Sequence, residues 1–260
     1  TEYQALDSLL KPFLHTWSLS VEEQYYILFP IGLVLVFKFL KKYLLYFFLI
    51  CFVISLLLAD WGSKNYPSAT FYFLHTRIWE LILGSLLAYY EIKLGHRGQN
   101  KILCQIFPIL GLTLIVYSFF SFDGKIFHPS FYTLIPAIGV SLILWFSYED
   151  NFILKILSYK VFVKIGLISY SLYLWHYPIF SFANHLEIFF NNNLEKFLLI
   201  LLTFILSIFT YYFIEQPVRK KVSLKIIISS FKIIFFIIAT YSVSVITMEG
   251  FTNRLKVKNY

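Results

Sequence analysis

The sequence predicts an all-α fold, a polytopic transmembrane helical bundle of about eight spans, from its composition and its pattern of apolar segments. Apolar residues make up 59% of the 260 residues and charged residues only 14%, whereas soluble domains have about 45–50% and about 25%. A water-soluble fold of this length could not bury so many Phe, Ile and Leu side chains, but a lipid bilayer solvates them. Apolar stretches of about 17–25 residues, the length that crosses a bilayer, recur along the chain.

Eight stretches reach or approach the length of a membrane span, and we predict a helix in each. The third is the least apolar, because Arg77 and Glu80 lie in its first turns. We expect one transmembrane domain over residues 1–247 and the start of an extracytoplasmic linker over 248–260. The predicted spans are residues 22–40, 43–59, 74–91, 102–120, 131–148, 164–183, 196–214 and 226–247.

Basic residues alternate between the loops and predict the orientation of the bundle. Thirteen Lys and Arg residues lie in or beside the loops that follow the first, third, fifth and seventh spans, against five before the first span and in or beside the remaining loops. The positive-inside rule places the thirteen in the cytoplasm, so the start of the chain and its C-terminal tail should lie in the periplasm. Because this alternation explains the net charge of +8, nucleic-acid binding is not expected.

Several function classes have no supporting motif in the sequence. There is no Gly-rich phosphate-binding loop and no Gly-x-Ser-x-Gly motif, so a covalent serine mechanism of that type is not predicted. The two cysteines, Cys51 and Cys104, have neither CxxC nor metal-ligand spacing. We therefore expect no disulfide framework and no metal site.

Two polar segments lie at the predicted outer ends of spans, where each ionisable group is a candidate for function because it is costly in a membrane. The first contains His15 and Glu22; the carboxylate could instead serve only to favour the positive end of the helix dipole. The second contains Arg77 and Glu80, spaced i, i+3, which could be only an intrahelical ion pair. Arg is also the natural clamp for a phosphate or carboxylate, because its planar fork bonds to both oxygens.

A third polar segment lies in the sixth predicted span. Ser169, Tyr173 and His176 are spaced i, i+4 and i+7, so they form one stripe, which we expect to face protein or a water-filled cavity rather than lipid. An interfacial aromatic belt explains Trp175. His176 is either a structural hydrogen-bonding residue or a chemical group. His75 belongs to the second segment. The other three histidines, His96, His128 and His185, are interpreted as ordinary loop residues.

Four sequence segments together resemble the acyltransferase-3 family of bacterial inner-membrane O-acyltransferases. The resemblance covers nearly the whole chain, and HTWSLSVEEQYY is its most specific part. In chain order the segments are HTWSLSVEEQYY (15–26), HTRIWELILG (75–84), GLISYSLYLWHYPIF (166–180) and FIEQPVRK (213–220).

The resemblance implies transfer of an acyl group, commonly acetyl, from acyl-CoA (acetyl-CoA in the common case) to a hydroxyl of a cell-envelope glycan of the lipopolysaccharide, capsule or peptidoglycan type. Such a transfer needs a base for the hydroxyl and hydrogen-bond donors for the developing oxyanion. Carried over to this sequence, the catalytic or orienting residues are His15, Glu22 and His176. The expected substrate-binding residues are Arg77, Glu80, Ser169, Tyr173 and Trp175.

The family pattern also includes segments that the 260 residues do not contain. It implies helices before Thr1 that carry the principal catalytic His, and a periplasmic SGNH hydrolase-like domain after the last span, so we expect this chain to be inactive alone. Besides the glycan, the lipid bilayer and these segments are its expected partners. The main alternative is a membrane transporter or flippase for an envelope precursor, since intramembrane charges suit transport equally well. A structural assembly subunit would not need the ionisable groups.

Overall fold

The computed structural model describes residues 11–123, 126–147, 151–185, 193–221 and 223–247. Every regular element in these residues is helical, which confirms the all-α prediction. The linker predicted for residues 248–260 lies outside the described residues. The helices are α1 (Trp17–Leu40), α2 (Leu44–Asn65), α3 (Pro67–Tyr72), α4 (Ile78–Leu94), α5 (Lys101–Ser121), α6 (Leu134–Phe146), α7 (Phe152–Leu157), α8 (Lys160–His185), α9 (Asn193–Thr210), α10 (Gln216–Lys221) and α11 (Leu224–Thr247).

Each predicted span contains one long helix, but the spans differ in how well they suit a bilayer. Among the described residues, four helical stretches are long and apolar enough to cross a membrane, and they hold five predicted spans because the first stretch covers both α1 and α2. The other three are α4, with 17 residues, α6, with 13, and α8, whose Ser, Tyr and His residues lower its mean hydropathy. Two of these three helices carry residues of the predicted site. The four stretches are Leu14–Asn65, Lys101–Ser121, Asn193–Lys220 and Ser229–Thr247.

Local sequence signals end and begin the helices of the first half. Gly95 ends α4 in the left-handed conformation, with φ of 76°, which an L side chain rarely adopts. Asn100 then caps α5, because its side-chain oxygen accepts hydrogen bonds from the backbone N–H groups of Ile102 and Leu103. Asn151 caps α7 in the same way.

Residues Thr1–Phe204 form one compact unit, in which α1, α2 and α4 share an apolar core. Phe48 of α2 and Ile82 of α4 are buried there together with Val36 of α1. Trp79 of α4 is fully buried against Ala59 of α2. Because the first turn of α4 is anchored by this packing, the polar residues beside it are held in fixed positions.

A second contact of the same unit joins α5 and α6 through two glycines. A Cβ atom added to Gly111 would lie 2.5 Å from the Gly139 carbonyl oxygen, and one added to Gly139 would lie 2.6 Å from that of Gly111. Small residues at such crossings let two membrane helices approach closely. On other faces, large apolar side chains are exposed, as Phe119 and Phe120 are at 80%, which suits contact with lipid.

Residues Ile205–Tyr260 form the second compact unit. A π-helical turn at Tyr211–Glu215 leads into α10, and the Gln216 side-chain amide donates to the Tyr211 hydroxyl at 3.0 Å. Arg219 pairs with Glu215 at 3.1 Å. Two charged residues of the FIEQPVRK segment, Glu215 and Arg219, thus pair with each other, and α11 follows.

Candidate active site

The guanidinium of Arg77 lies against two neighbouring aromatic rings at the start of α4. Its central carbon is 4.9 Å from the ring centroid of Trp17 and 4.9 Å from that of Phe71. Its Nη1 donates to Glu80 at 3.1 Å, and the Arg77 side chain is only 13% exposed. Stacking on two π faces together with one ion pair stabilises a cation that would otherwise be costly in a membrane. The i, i+3 ion pair that the spacing in the sequence allows therefore forms.

Hydrogen bonds from α2 and α3 set the position of Arg77. The Ser55 hydroxyl of α2 donates to the His75 carbonyl oxygen at 2.8 Å and accepts from the Trp79 backbone N–H at 3.2 Å. The Thr76 hydroxyl donates to the Thr70 carbonyl oxygen of α3 at 2.6 Å. Hydrogen bonds thus fix the residues on both sides of Arg77 in the sequence.

A small cavity of about 90 Å³ lies beside this guanidinium, between the first turns of α1 and α4. Its size suits a few water molecules or one reacting group rather than a whole sugar ring. The predicted residues Glu22, Arg77 and Glu80 all line it, so two carboxylates and one guanidinium share the space. The remaining lining residues are Trp17, Ser18, Val21 and Leu81.

A second cluster surrounds His15, in the 3-10 turn that precedes α1. His15 is only 3% exposed, and in the described part of the chain neither of its ring nitrogens has a hydrogen-bond partner. Its ring stacks on Tyr177 with centroids 5.0 Å apart and meets the edge of His176 at 5.5 Å. A buried imidazole without hydrogen-bond partners is unfavourable, so His15 is a candidate functional group.

Tyr173 and Ser18 join the two clusters. The Tyr173 hydroxyl donates to the His15 carbonyl oxygen and lies 2.7 Å from the Ser18 hydroxyl. Because the phenol has a single proton, Ser18 is then the donor in the second bond. Ser18 also lines the cavity that contains Glu22 and Arg77, so one side chain borders both groups of candidate residues.

His176 is exposed, and a backbone contact sets its tautomer. Its Nδ1 lies 2.7 Å from the Tyr173 carbonyl oxygen, and a carbonyl oxygen can only accept a hydrogen bond. The neutral ring therefore carries its proton on Nδ1 and leaves Nε2 able to accept one. His176 packs on His15 but is not among the residues that line the small cavity.

The polar stripe expected on α8 lies opposite the buried face of this helix, although Tyr173 and His176 contact His15. Ser169 is exposed, whereas Ile168, Ser171, Pro178 and Ser181 are buried. At about 100° per residue, Ser169 lies about 160° around the helix from Ser171. Spacing correctly places Ser169, Tyr173 and His176 on one side of α8, but it cannot tell which side meets the other helices. Trp175 is half-buried on the same helix.

Sequence reasoning also missed His128, which was interpreted as an ordinary loop residue. His128 is half-buried and lies against Phe122, with ring centroids 5.8 Å apart. Burial lowers its pKa, and the positive charge of Arg77 lowers it further. The loop between α5 and α6 thus lies near the Arg77 guanidinium, which no spacing in the sequence could indicate. In the described part of the chain, no three His, Cys, Asp or Glu side chains are grouped closely enough to hold a metal ion.

Comparison with known proteins identifies the family. The profile of the acyltransferase-3 family, described as an acyltransferase domain, matches residues 2–213. The chain belongs to this family. The identification made from the four sequence segments is therefore confirmed. No solved protein structure is significantly similar to the chain.

Curated relatives of the chain are O-acetyltransferases by name. The O-acetyltransferase OatA of Staphylococcus aureus (strain NCTC 8325 / PS 47) is 31% identical over 223 residues, which cover 82% of this chain and 37% of the relative. The peptidoglycan O-acetyltransferase OatA of Listeria monocytogenes is 31% identical over 234 residues, covering 82% of this chain and 36% of the relative. The chain thus spans little more than a third of the length of these relatives.

Proposed function

We propose that the intact protein transfers an acetyl group from acyl-CoA to a hydroxyl group of a cell-envelope glycan of the peptidoglycan type. The observation that carries this proposal is the meeting of two clusters at the start of α1. The His15, Tyr173 and His176 cluster adjoins the cavity that holds Glu22 and Arg77, with Ser18 common to both. The names of the relatives favour acetyl transfer over the transporter alternative.

In the proposed reaction the acceptor oxygen attacks the thioester carbonyl, the carbon–sulfur bond breaks, and the thiol leaves with a proton. Arg77, Glu80, Tyr173, Trp175 and Ser169 bind the acyl or sugar group, and the cation of Arg77 stabilises negative charge on the carbonyl oxygen.

His15, Glu22 and His176 orient the acceptor, while the principal base is a His in helices that precede residue 1 in the intact protein. The family resemblance supports this division. The greater length of the relatives is compatible with it, and also with the expected SGNH hydrolase-like domain.

We further propose that the protein is a multi-pass protein of the bacterial inner membrane with this site on its periplasmic side. The alternation of basic loops supports that orientation. With Cys51 and Cys104 replaced by Ser, cysteines introduced at Asn65 and Ser121 should react with an impermeant thiol reagent in intact cells, whereas one at Gln99 should not. The reverse pattern would invert the topology.

Deletion of the gene in its own bacterium tests the proposed activity. Ester-linked acetate, released from purified envelope glycan by mild alkali, should fall to the background value, and the amount of glycan should stay constant. A plasmid copy of the intact gene should restore the acetate. Unchanged acetate after deletion would contradict acetyl transfer, and loss of the glycan itself would favour a transporter.

A further inference from the structure

A larger groove of about 540 Å³ lies between the C-terminal halves of α1 and α4 and closes against α2. Its walls are mainly apolar and aromatic, with Phe29 and Leu33 from α1, Phe48 from α2 and Tyr89 from α4. The groove is separate from the small cavity of the candidate active site, which lies between the N-terminal turns of α1 and α4.

One end of the groove is positively charged. Lys41 follows α1 and Lys93 belongs to the last turn of α4, and both line the groove. None of the described residues that line it is acidic. Both lysines also belong to the loops that the positive-inside rule places in the cytoplasm. This end therefore suits a cytoplasmic ligand that carries phosphate groups.

The other end of the groove points along the helices to the candidate active site. Ser85 lines the groove, and its hydroxyl lies 2.8 Å from that of Tyr25, which is buried. One turn further along the same two helices, Glu22 of α1 and Leu81 of α4 line the small cavity. The groove and the cavity are thus in line along α1 and α4, with the Tyr25–Ser85 hydrogen bond between them.

We propose that this groove binds the phosphopantetheine arm of the acyl-CoA donor, with its phosphates at Lys41 and Lys93 and its thioester beside Ser85. The inference rests on the proposed function and adds the place where the donor binds. Eight residues of helix separate Ser85 from Lys93, about 12 Å at 1.5 Å per residue, and the long Lys93 side chain extends the distance that the arm can span. For transfer, the Tyr25–Ser85 hydrogen bond opens and the thioester moves one helical turn to the small cavity, where Arg77 lies.

An anionic phospholipid is the competing occupant, since it too combines a phosphate with apolar chains. Its chains would end at the point furthest from the lysines. That point carries the hydroxyl groups of Tyr25 and Ser85, which would gain nothing from a hydrocarbon end. A thioester carbonyl, in contrast, can accept a hydrogen bond there. The hydroxyl groups at the end of the groove furthest from the lysines therefore favour the acyl-CoA arm.

Binding measurements on the intact protein, purified into phosphatidylcholine nanodiscs, test the assignment. The double variant Lys41→Gln/Lys93→Gln should raise the Kd for acetyl-CoA at least about tenfold, because two charge-assisted contacts are lost. The matched control Lys42→Gln/Lys101→Gln removes one lysine from each of the same two loops, outside the groove, and should leave the Kd unchanged. Acetyl-pantetheine, which has no phosphate, should bind both variants equally.

A second pair of variants tests the apolar part. Ala88→Trp fills the groove and should abolish binding of both probes, while Leu87→Trp, on a residue that lines a different surface of α4, should not. Equal acetyl-CoA affinity in both lysine variants would overturn the assignment and leave the donor class standing. If the variants lost binding of phosphatidylglycerol added to the nanodiscs but kept binding of acetyl-CoA, the groove would be a lipid site and the assignment would be overturned as well. If the wild-type protein binds no acetyl-CoA, the proposed donor fails.

Discussion

At the scale of single residues, Arg77 shows how a charge is accommodated beside a membrane. Two neighbouring aromatic rings, from Trp17 and Phe71, contact its guanidinium, and Glu80 accepts a hydrogen bond from it. The guanidinium offers a rigid fork of N–H donors besides its contact with the rings, whereas the Lys ammonium is a compact, strongly hydrated point charge, so Lys is a poor substitute here. The sequence could indicate the Glu80 contact through its spacing, but the two rings come from other helices.

Replacing Arg77 tests this role. We expect Arg77→Ala to lower glycan acetylation at least tenfold, about 1.4 kcal/mol of barrier, with Arg77→Lys restoring only a small part. Initial rates of acetate incorporation, normalised to the amount of protein in the membrane, would measure both variants. Arg97, exposed and paired with Glu91, provides the control Arg97→Ala. Wild-type rates in the Lys variant would show that charge alone is needed.

The Tyr173 hydroxyl gives a second prediction at this scale. Tyr173→Phe removes the donor to the His15 carbonyl oxygen and the acceptor for Ser18, so unfolding should become easier by about 1–3 kcal/mol. The midpoint of thermal unfolding in detergent would report the loss. Tyr170→Phe, on an exposed face of α8, is the matched control.

A double variant separates the network from its parts. Because Ser18 and Tyr173 share one hydrogen bond, Ser18→Ala combined with Tyr173→Phe should cost less than the two single changes added together. Strictly additive losses would mean that the two hydroxyl groups do not interact.

His128 predicts a dependence of stability on pH. Burial and Arg77 hold its pKa below the ordinary value, about 6.5 for an unfolded chain. The folded state therefore binds fewer protons than the unfolded state in this range. The contribution of His128 to stability is present above about pH 6.5 and is lost as the pH falls through the folded pKa.

His128→Gln should therefore make the unfolding midpoint less sensitive to acid than it is in the wild-type protein. Thermal unfolding at pH 7.5 and at pH 5.5 would measure the difference, with His96→Gln, on an exposed residue, as the control. An equal loss of stability on acidification in wild type and His128→Gln would remove His128 as the cause.

At the scale of secondary-structure elements, hydropathy predicted where the helices lie but not how they are capped or which faces pack. All eight predicted spans contain a helix, since a long apolar segment in lipid must satisfy its backbone internally. The predicted third span begins instead with a 3-10 turn at Leu74–Thr76 before α4. Ser169 shows a limit of periodicity, which places a residue on one face of a helix but does not show whether that face packs against another helix.

The crossing of α5 and α6 provides the prediction at this scale. A methyl group at Gly139 would meet the Gly111 carbonyl oxygen at 2.6 Å, and backbone cannot move aside as a flexible side chain does. We expect Gly139→Ala to destabilise the protein by about 1–3 kcal/mol. Gly166→Ala in α8, where nothing lies within 4 Å of the new atom, should be neutral or stabilising. Chemical denaturation of both variants would compare them, and equal midpoints would show that the helices separate easily.

At the scale of the whole molecule, the family could be inferred from four short segments, while the arrangement of the site could not. His15 and His176 are far apart in the sequence, and their contact at 5.5 Å depends on how α8 meets the start of α1. No motif or spacing in the sequence indicated that His128, in a loop, lies near Arg77. The apolar groove could not be predicted either, because the sequence indicated only a role in membrane topology for Lys41 and Lys93.

Expression of the 260 residues alone tests whether they suffice for acetyl transfer. We expect the fragment to insert in membranes and leave the glycan unmodified, because the Nε2 atom of His176, which can accept a proton, lies outside the small cavity. The intact gene should restore acetylation in the same host, and membrane fractionation should find equal amounts of both proteins. Full acetylation by the fragment would make His176 the base.

The first turn of α1 has a consequence for how this protein tolerates change. Trp17 stacks on Arg77, Ser18 bonds to Tyr173, and Glu22 lines the cavity, so a single helical surface serves three neighbours at once. One residue inserted after Leu19 would rotate everything before it by about 100° relative to the rest of the helix. A substitution in this turn changes one contact and leaves the others in place. An insertion of one residue, in contrast, turns Trp17 and Ser18 away from their partners together. Evolution of this segment should therefore permit changes of side chain but not of length.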